Sequence, residues 1–202
     1  MRNSLYMIIL LLYNAAQGQQ RKGFEQFYYP DNATLSSLSS KLFYQGNTGW
    51  YTEWRWNYEE QQSIACSVGK TYSKEGALSY SFTPSVGLIA GDLQGISAGL
   101  NTSLRYRSIS FSTFMEYANC SEKKKNDLFF SWSELTCQIT RQLYAGLVLQ
   151  QKCLYPSANT LEAGMQLGVT CKNWTFPLYL FKPANSSFYF AVGICREWEK
   201  QP

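Results

Sequence analysis

Apolar and polar side chains alternate along most of this chain. In the run Trp50 to Glu59 the even positions are Trp, Thr, Trp, Trp and Tyr, and the odd ones are Tyr, Glu, Arg, Asn and Glu. A period of two places one set on each face of a β-strand, whereas a helix would mix the sets. The same period recurs. Ile96, Ala98, Leu100 and Leu104 alternate with Ser97, Gly99, Asn101 and Arg105, and Ile109, Phe111 and Met115 with Ser110, Ser112 and Glu116. Further on, Leu143, Leu147 and Leu149 alternate with Tyr144, Gln150 and Lys152, and Leu161, Met165, Leu167 and Val169 with Glu162, Gln166 and Thr170. Most runs are about ten residues long, which is what a tilted strand needs to cross a bilayer.

Turn chemistry separates the runs. Short turns are expected near Glu59–Gln62, Thr83–Ser85, Arg107–Ser108, Thr140–Gln142 and Lys172–Asn173. Longer polar connections are expected at Gly91–Gly95, Cys120–Asp127, Pro156–Thr160 and Pro183–Ser187. Alternating short and long connections suit an outer-membrane barrel, with tight turns at one end and larger loops at the other. About eleven strands follow Gly49, and one more at Lys41–Gln45 makes an even total. The expected fold is all-β: a closed up-and-down antiparallel transmembrane β-barrel of 10–12 strands, with 12 favoured, over residues 41–202. Residues 19–40, polar and Ser-rich toward their end, are expected to form a flexible or helical lead.

The first residues have a different pattern. Arg2 is followed by an apolar run from Leu5 to Tyr13, then by Ala16 and Gly18 at the −3 and −1 positions of a cut. This predicts a secretory signal peptide over residues 1–18, because nine apolar residues fall short of the roughly 20 that a spanning helix requires.

Composition sharpens the choice between a membrane barrel and a soluble one. Charged residues make up 16% and aromatic residues 16%, against a usual charged share of about a quarter. Trp50, Tyr106, Tyr117, Tyr155, Trp174 and Trp198 fall near strand ends, as interfacial girdles do. The polar faces carry charges of both signs. Glu53, Arg55, Arg105, Glu116, Trp132, Glu134, Lys152 and Glu162 are the expected lumen lining. A soluble barrel would turn its apolar face inward, and here that face is long on nearly every strand.

The 202 residues include no His, which excludes Ser-His-Asp and Cys-His catalysis, His-ligated metals and His proton shuttling. A carboxylate-only mechanism at Glu116 or Glu134 is all that an enzyme reading retains. Neither a cofactor nor a catalytic residue is expected. The formal net charge of +4 is too small and dispersed for nucleic acid.

From Ser81–Ile96 through Glu116-Tyr117, Phe129–Leu135 and Leu143–Gln151, the chain resembles small outer-membrane β-barrels of Gram-negative bacteria, a group of unknown function. The resemblance covers about residues 78–195. Its most specific part is Phe-Phe-Ser-Trp-Ser-Glu-Leu leading through a turn to a strand containing Gly-Leu-Val. It implies a fold and an outer-membrane location and lends no activity. Cys137 and Cys171 depart from the group's pattern.

Six cysteines (66, 120, 137, 153, 171 and 195) contain no Cys-x-x-Cys pair, so a metal or redox role has little support. By parity Cys66, Cys137 and Cys171 join the apolar face, and a disulfide between Cys120 and Cys153 is an expectation. Five Asn-x-Ser/Thr triplets would be glycan acceptors in a eukaryotic secreted protein. Lys123, Lys124 and Lys125 fall in an expected external loop, where they could meet lipopolysaccharide phosphates.

Together these features predict a non-enzymatic outer-membrane barrel, either a narrow solute channel or a structural membrane protein. Its expected partners are membrane lipid, lipopolysaccharide and small solutes. The alternative is a secreted, soluble ligand-binding barrel resembling lipocalins, with disulfides and glycans.

Overall fold

The computed structural model describes residues 20–30, 37–57, 62–120, 127–156, 158–182 and 188–200. The signal-peptide segment and Lys123–Lys125 lie outside the described residues. The strands are β1 (Gln20–Tyr29), β2 (Ser37–Gln45), β3 (Trp50–Trp56), β4 (Ser63–Lys70), β5 (Tyr72–Lys74), β6 (Leu78–Gly91) and β7 (Gly95–Tyr106). They continue with β8 (Ile109–Cys120), β9 (Asp127–Gln138), β10 (Leu143–Tyr155), β11 (Ala158–Cys171), β12 (Trp174–Phe181) and β13 (Tyr189–Lys200).

Each strand pairs antiparallel with its chain neighbour. β1 also pairs with β13, and this joins the two ends of the meander into a ring. β4 and β5 share one partner, β6, in one register: Gly69 faces Ser85 and Tyr72 faces Phe82. They act as a single strand, so the barrel is closed and 12-stranded. Closure removes the unpaired edges that a flat sheet of this size would expose.

Two expectations are corrected here. The stretch expected as a lead supplies β1 and the start of β2, because closing the ring requires both. β1 is hard to see in sequence because aromatics occupy both faces: Phe27 and Tyr29 point inward, and Phe24 and Tyr28 outward. The expected turn at Thr83–Ser85 is strand β6, and the chain reverses after Lys74 instead. Pro84 is tolerated because it lies opposite Lys70, where the ladder between β4 and β5 is interrupted and no donor is needed. Thr71 there donates its amide to the Gly49 carbonyl, and its hydroxyl meets that of Thr83 at 2.9 Å.

The short connections at Gly46–Gly49, Glu75–Ala77, Arg107–Ser108, Ile139–Gln142 and Lys172–Asn173 cluster at one end, beside the Gln20–Lys200 pair. The connection after β3, expected as a short turn of the same kind, belongs to the opposite end, as do those after β1, β6, β8, β10 and β12. We call these the turn end and the loop end. At the loop end, Asp127 accepts hydrogen bonds from the Tyr117 hydroxyl (2.6 Å), the Asn119 amide and the Cys120 backbone N–H (3.0 Å). These contacts tie β8 to β9 at the base of their connection.

The outer surface is an apolar belt. Leu42, Trp54, Ile64, Val86, Leu88, Ile96, Leu147, Leu161 and Met165 are all exposed. Tyr44, Trp50 and Tyr106 border the belt at the turn end, and Tyr28, Trp56, Tyr117 and Tyr155 at the loop end. A surface this apolar would be an aggregation liability in water and is ordinary against lipid.

Candidate functional site: the barrel interior

Inward positions are taken by the polar set, so the interior is where chemistry concentrates. A cavity of about 630 Å³ runs along it, with Glu53, Arg55, Trp132, Glu134 and Lys152 among its lining. A second space of about 150 Å³ lies at the turn end, lined by Arg105. Arg21, Ser81 and Ser103 line both, so the two adjoin.

The two walls of the lumen differ in character. On the β2–β8 side the lining is hydrophilic, and its most buried charges are paired. Arg55 of β3 donates two hydrogen bonds to Glu116 of β8, at 2.9 and 2.5 Å. Its Nε lies 3.5 Å from Glu53, which also accepts from the Tyr51 hydroxyl at 2.7 Å. The Arg55 guanidinium stands 5.0 Å from the Phe114 ring centroid. All three charged side chains are almost wholly buried, where unpaired charge would be very costly. Lys41 of β2 pairs with Glu25 of β1 at 2.9 Å. Arg21 pairs with Glu197, and lies 3.3 Å from Glu199.

The wall formed by β1, β9, β10, β12 and β13 is aromatic. Phe27, Val148, Tyr179, Phe181 and Ala191 form a buried cluster, flanked by Trp132 and Tyr189. Trp132 meets Tyr179 edge-on at 5.1 Å, and Phe181 stacks on Tyr189 at 4.8 Å. Glu134 sits among these rings and accepts hydrogen bonds from Trp132 Nε1 (2.7 Å) and the Tyr179 hydroxyl (2.8 Å). No arginine meets Glu134 among the described residues, and Arg55 is engaged with Glu116. Glu162 takes Lys182 at 2.6 Å and the Tyr189 hydroxyl.

Rings fit inside the wall because glycines stand opposite them. Tyr144 faces Gly168, Phe43 faces Gly23 and Phe27 faces Gly193. A Cβ on Gly168 would lie 2.1 Å from the Tyr144 ring, and one on Gly193 would lie 2.6 Å from Phe27. Each ring therefore lies flat across its neighbour's backbone. At the loop end Leu93, in the connection after β6, turns inward and packs with Ala65, Ile89, Ala118 and Leu128. This apolar cluster fills part of that mouth.

No disulfide joins Cys120 to Cys153. β9 lies between β8 and β10, so two strand spacings, about 10 Å, separate their backbones, beyond the reach of roughly 7 Å for a disulfide. Cys66, Cys137 and Cys171 are exposed on the outer face, and Cys195 borders the lumen. No acid–Cys cluster able to hold a metal occurs among the described residues.

Sequence reasoning missed Arg21 and Glu25 because β1 was not recognised, and it left Lys41, at the start of the strand expected over Lys41–Gln45, out of the lumen lining. It also missed the inward aromatics of β12, where Trp174, Phe176, Leu178 and Leu180 face outward and aromatic residues occur on both parities. Only the alternation of Pro177, Tyr179 and Phe181 among buried positions reveals them.

In sequence the chain matches no family model and no curated protein. In structure it matches solved porins. The KdgM porin aligns with a TM-score of 0.57 at 14% identity, over 87% of this chain and 98% of that one. The chain shares the fold of these porins. The NanC porin aligns at 0.61 and 9% identity, over 89% and 100%. The KdgM porin in complex with disordered oligogalacturonate aligns at 0.56 and 13%, over 87% and 98%.

Proposed function

We propose that this chain is a non-enzymatic outer-membrane barrel of channel type, passing small polar solutes of little net charge. The observation that carries the reading is the contrast between the two surfaces of one wall. The outside is an apolar belt with aromatic borders, and the inside is a polar cavity of about 630 Å³. A soluble lipocalin-like barrel would reverse that arrangement. The porin fold agrees with the channel reading and supports an outer-membrane location.

The charge pattern narrows the solute. Arg21, Lys41 and Arg55 each have a carboxylate partner, and Arg105 and Lys152 lie toward opposite ends of the lumen, so the described residues form no continuous open row of cations. A polyuronate such as the oligogalacturonate seen with KdgM would need one. Barrels of 8 strands are filled by side chains and those of 16–18 leave wide pores, so 12 strands with an aromatic wall fit a narrow passage. Glu116 and Glu134 are engaged with Arg55 and with Trp132 and Tyr179, and this leaves neither poised as a general base. The Lys123–Lys125 run lies outside the described residues, and its proposed contact is lipopolysaccharide phosphate. Changing all three to Ser should weaken lipopolysaccharide binding; unchanged affinity would remove that part.

The deciding experiment is reconstitution of detergent-folded protein into planar bilayers. Small, weakly ion-selective unitary conductance is expected. Folded, inserted protein that carries no current would favour a structural role instead. Cell fractionation with heat-modifiability on gels tests location: a band that shifts on boiling should partition with the outer membrane.

A further inference from the structure

An arginine stands on the outer wall where lipid would be. Inward Cys195 and Glu197 flank Arg196, which therefore points outward from β13 near the turn end. Its guanidinium lies 4.7 Å from the Trp174 ring and 4.4 Å from the Trp198 ring. Phe24, paired opposite Arg196 across β1, meets both indoles, at 5.7 and 6.2 Å. Arg196 Nε is buried without a hydrogen-bond partner, and no carboxylate pairs with Arg196 among the described residues. Lys22, exposed on the same face and paired opposite Trp198, stands one step closer to the barrel end.

The pattern is repeated around that rim. Lys70 lies 5.3 Å from the Trp50 ring, and Arg107 lies 5.2 Å from the Tyr106 ring, both at the turn end. Cations therefore accompany the girdle there, and among the described residues only Arg196 is held between two indoles. A guanidinium at this depth needs an anion, because a desolvated charge without a counter-charge is very costly. Its planar fork matches two oxygens of a phosphate, and the indoles suit the glycerol and acyl boundary.

We propose that Arg196, Trp174, Trp198 and Lys22 form a binding site for the phosphate of a glycerophospholipid in the leaflet at the turn end. The proposal rests on the membrane-barrel reading above. Arg196 takes the phosphate oxygens between the two rings, Lys22 adds a second positive charge from the rim, and Phe24 supports the indoles from behind.

The test uses the full chain folded in detergent, with native mass spectrometry of retained lipid after adding phosphatidylglycerol, dioleoylglycerol or inorganic phosphate. Wild type should retain phosphatidylglycerol at least tenfold better than dioleoylglycerol and should hold inorganic phosphate weakly. Arg196→Gln should abolish that preference, Arg196→Lys should keep part of it, and Lys22→Gln should reduce it several-fold. Heat-modifiability confirms that each variant is folded. If Arg196→Gln does not fold, the exposed Lys22 decides, and unchanged retention in Lys22→Gln overturns the site. Equal retention of dioleoylglycerol, or equally tight inorganic phosphate, also overturns it. Protein that inserts into vesicles yet shows no Arg196 dependence defeats this site alone. Protein that stays folded in the aqueous phase and ignores vesicles defeats the barrel reading with it.

Discussion

Arg55 and Glu116, four strands apart around the wall, are joined inside the barrel by two parallel hydrogen bonds of 2.9 and 2.5 Å. The bridge spans the lumen from β3 to β8, with Glu53 on the other side of the guanidinium. Such an arrangement holds a side chain with 1% exposure in one orientation and sets the width of the passage beside it.

Arg55→Met would leave Glu53 and Glu116 buried and uncompensated. A loss of about 3–5 kcal/mol of folding stability is expected, read from urea unfolding in lipid vesicles. Adding Glu116→Leu should recover part of it, because the second charge is removed too. A single mutant as stable as wild type would mean that water reaches the bridge.

Leu147 lies outward near the middle of β10, between Leu135 and Met165, and is 57% exposed. Leu147→Arg should cost about 2–4 kcal/mol in a bilayer, as charge does on a lipid-facing strand at mid-depth. On a soluble barrel the same change would stay within about 0.5 kcal/mol. Unfolding titrations in vesicles separate the two cases.

Trp132 is the hub of the aromatic wall, touching Tyr179 and Phe181 and donating to Glu134. Trp132→Ala should raise unitary conductance by opening the wall, and should increase cation preference because Glu134 loses a donor. Bilayer recordings under a salt gradient measure both effects. Unchanged conductance would place the constriction elsewhere, with the Leu93 cluster the next place to look.

Gly168 lies beneath the Tyr144 ring, and any side chain at 168 must displace it. Gly168→Ala is expected to cost about 1–3 kcal/mol through overpacking. In the Tyr144→Ala background the same change should be nearly neutral, so a double-mutant cycle should give strong coupling. Additive losses would show that the ring and the glycine are independent.

The cysteines offer a direct check on register. Without a Cys120–Cys153 bond, the folded protein should migrate identically on gels with and without reductant. Cys66, Cys137 and Cys171, facing outward, should react with lipid-soluble maleimides in vesicles, and Cys195 only with reagents small enough to enter the lumen.

The class of fold was written in the period of two, because alternation survives any register and needs no partner to be read. Trp50–Trp56 illustrates this: the face assigned from parity is the one exposed in the barrel. The same rule placed Glu53 and Arg55 on one side of the wall. It was blind where both faces carry rings, as in β1 and β12, and where a proline imitates a turn, as at Pro84. Which charge meets which was beyond it altogether. Arg55 chooses Glu116 over Glu134 because closure and register carry β8 within reach, and those are properties of twelve strands together. The glycines beneath Tyr144 and Phe27, and the unpaired Arg196 between Trp174 and Trp198, likewise join residues on neighbouring strands. Alternation along a strand determines what each side chain faces; only pairing around the ring determines what it touches.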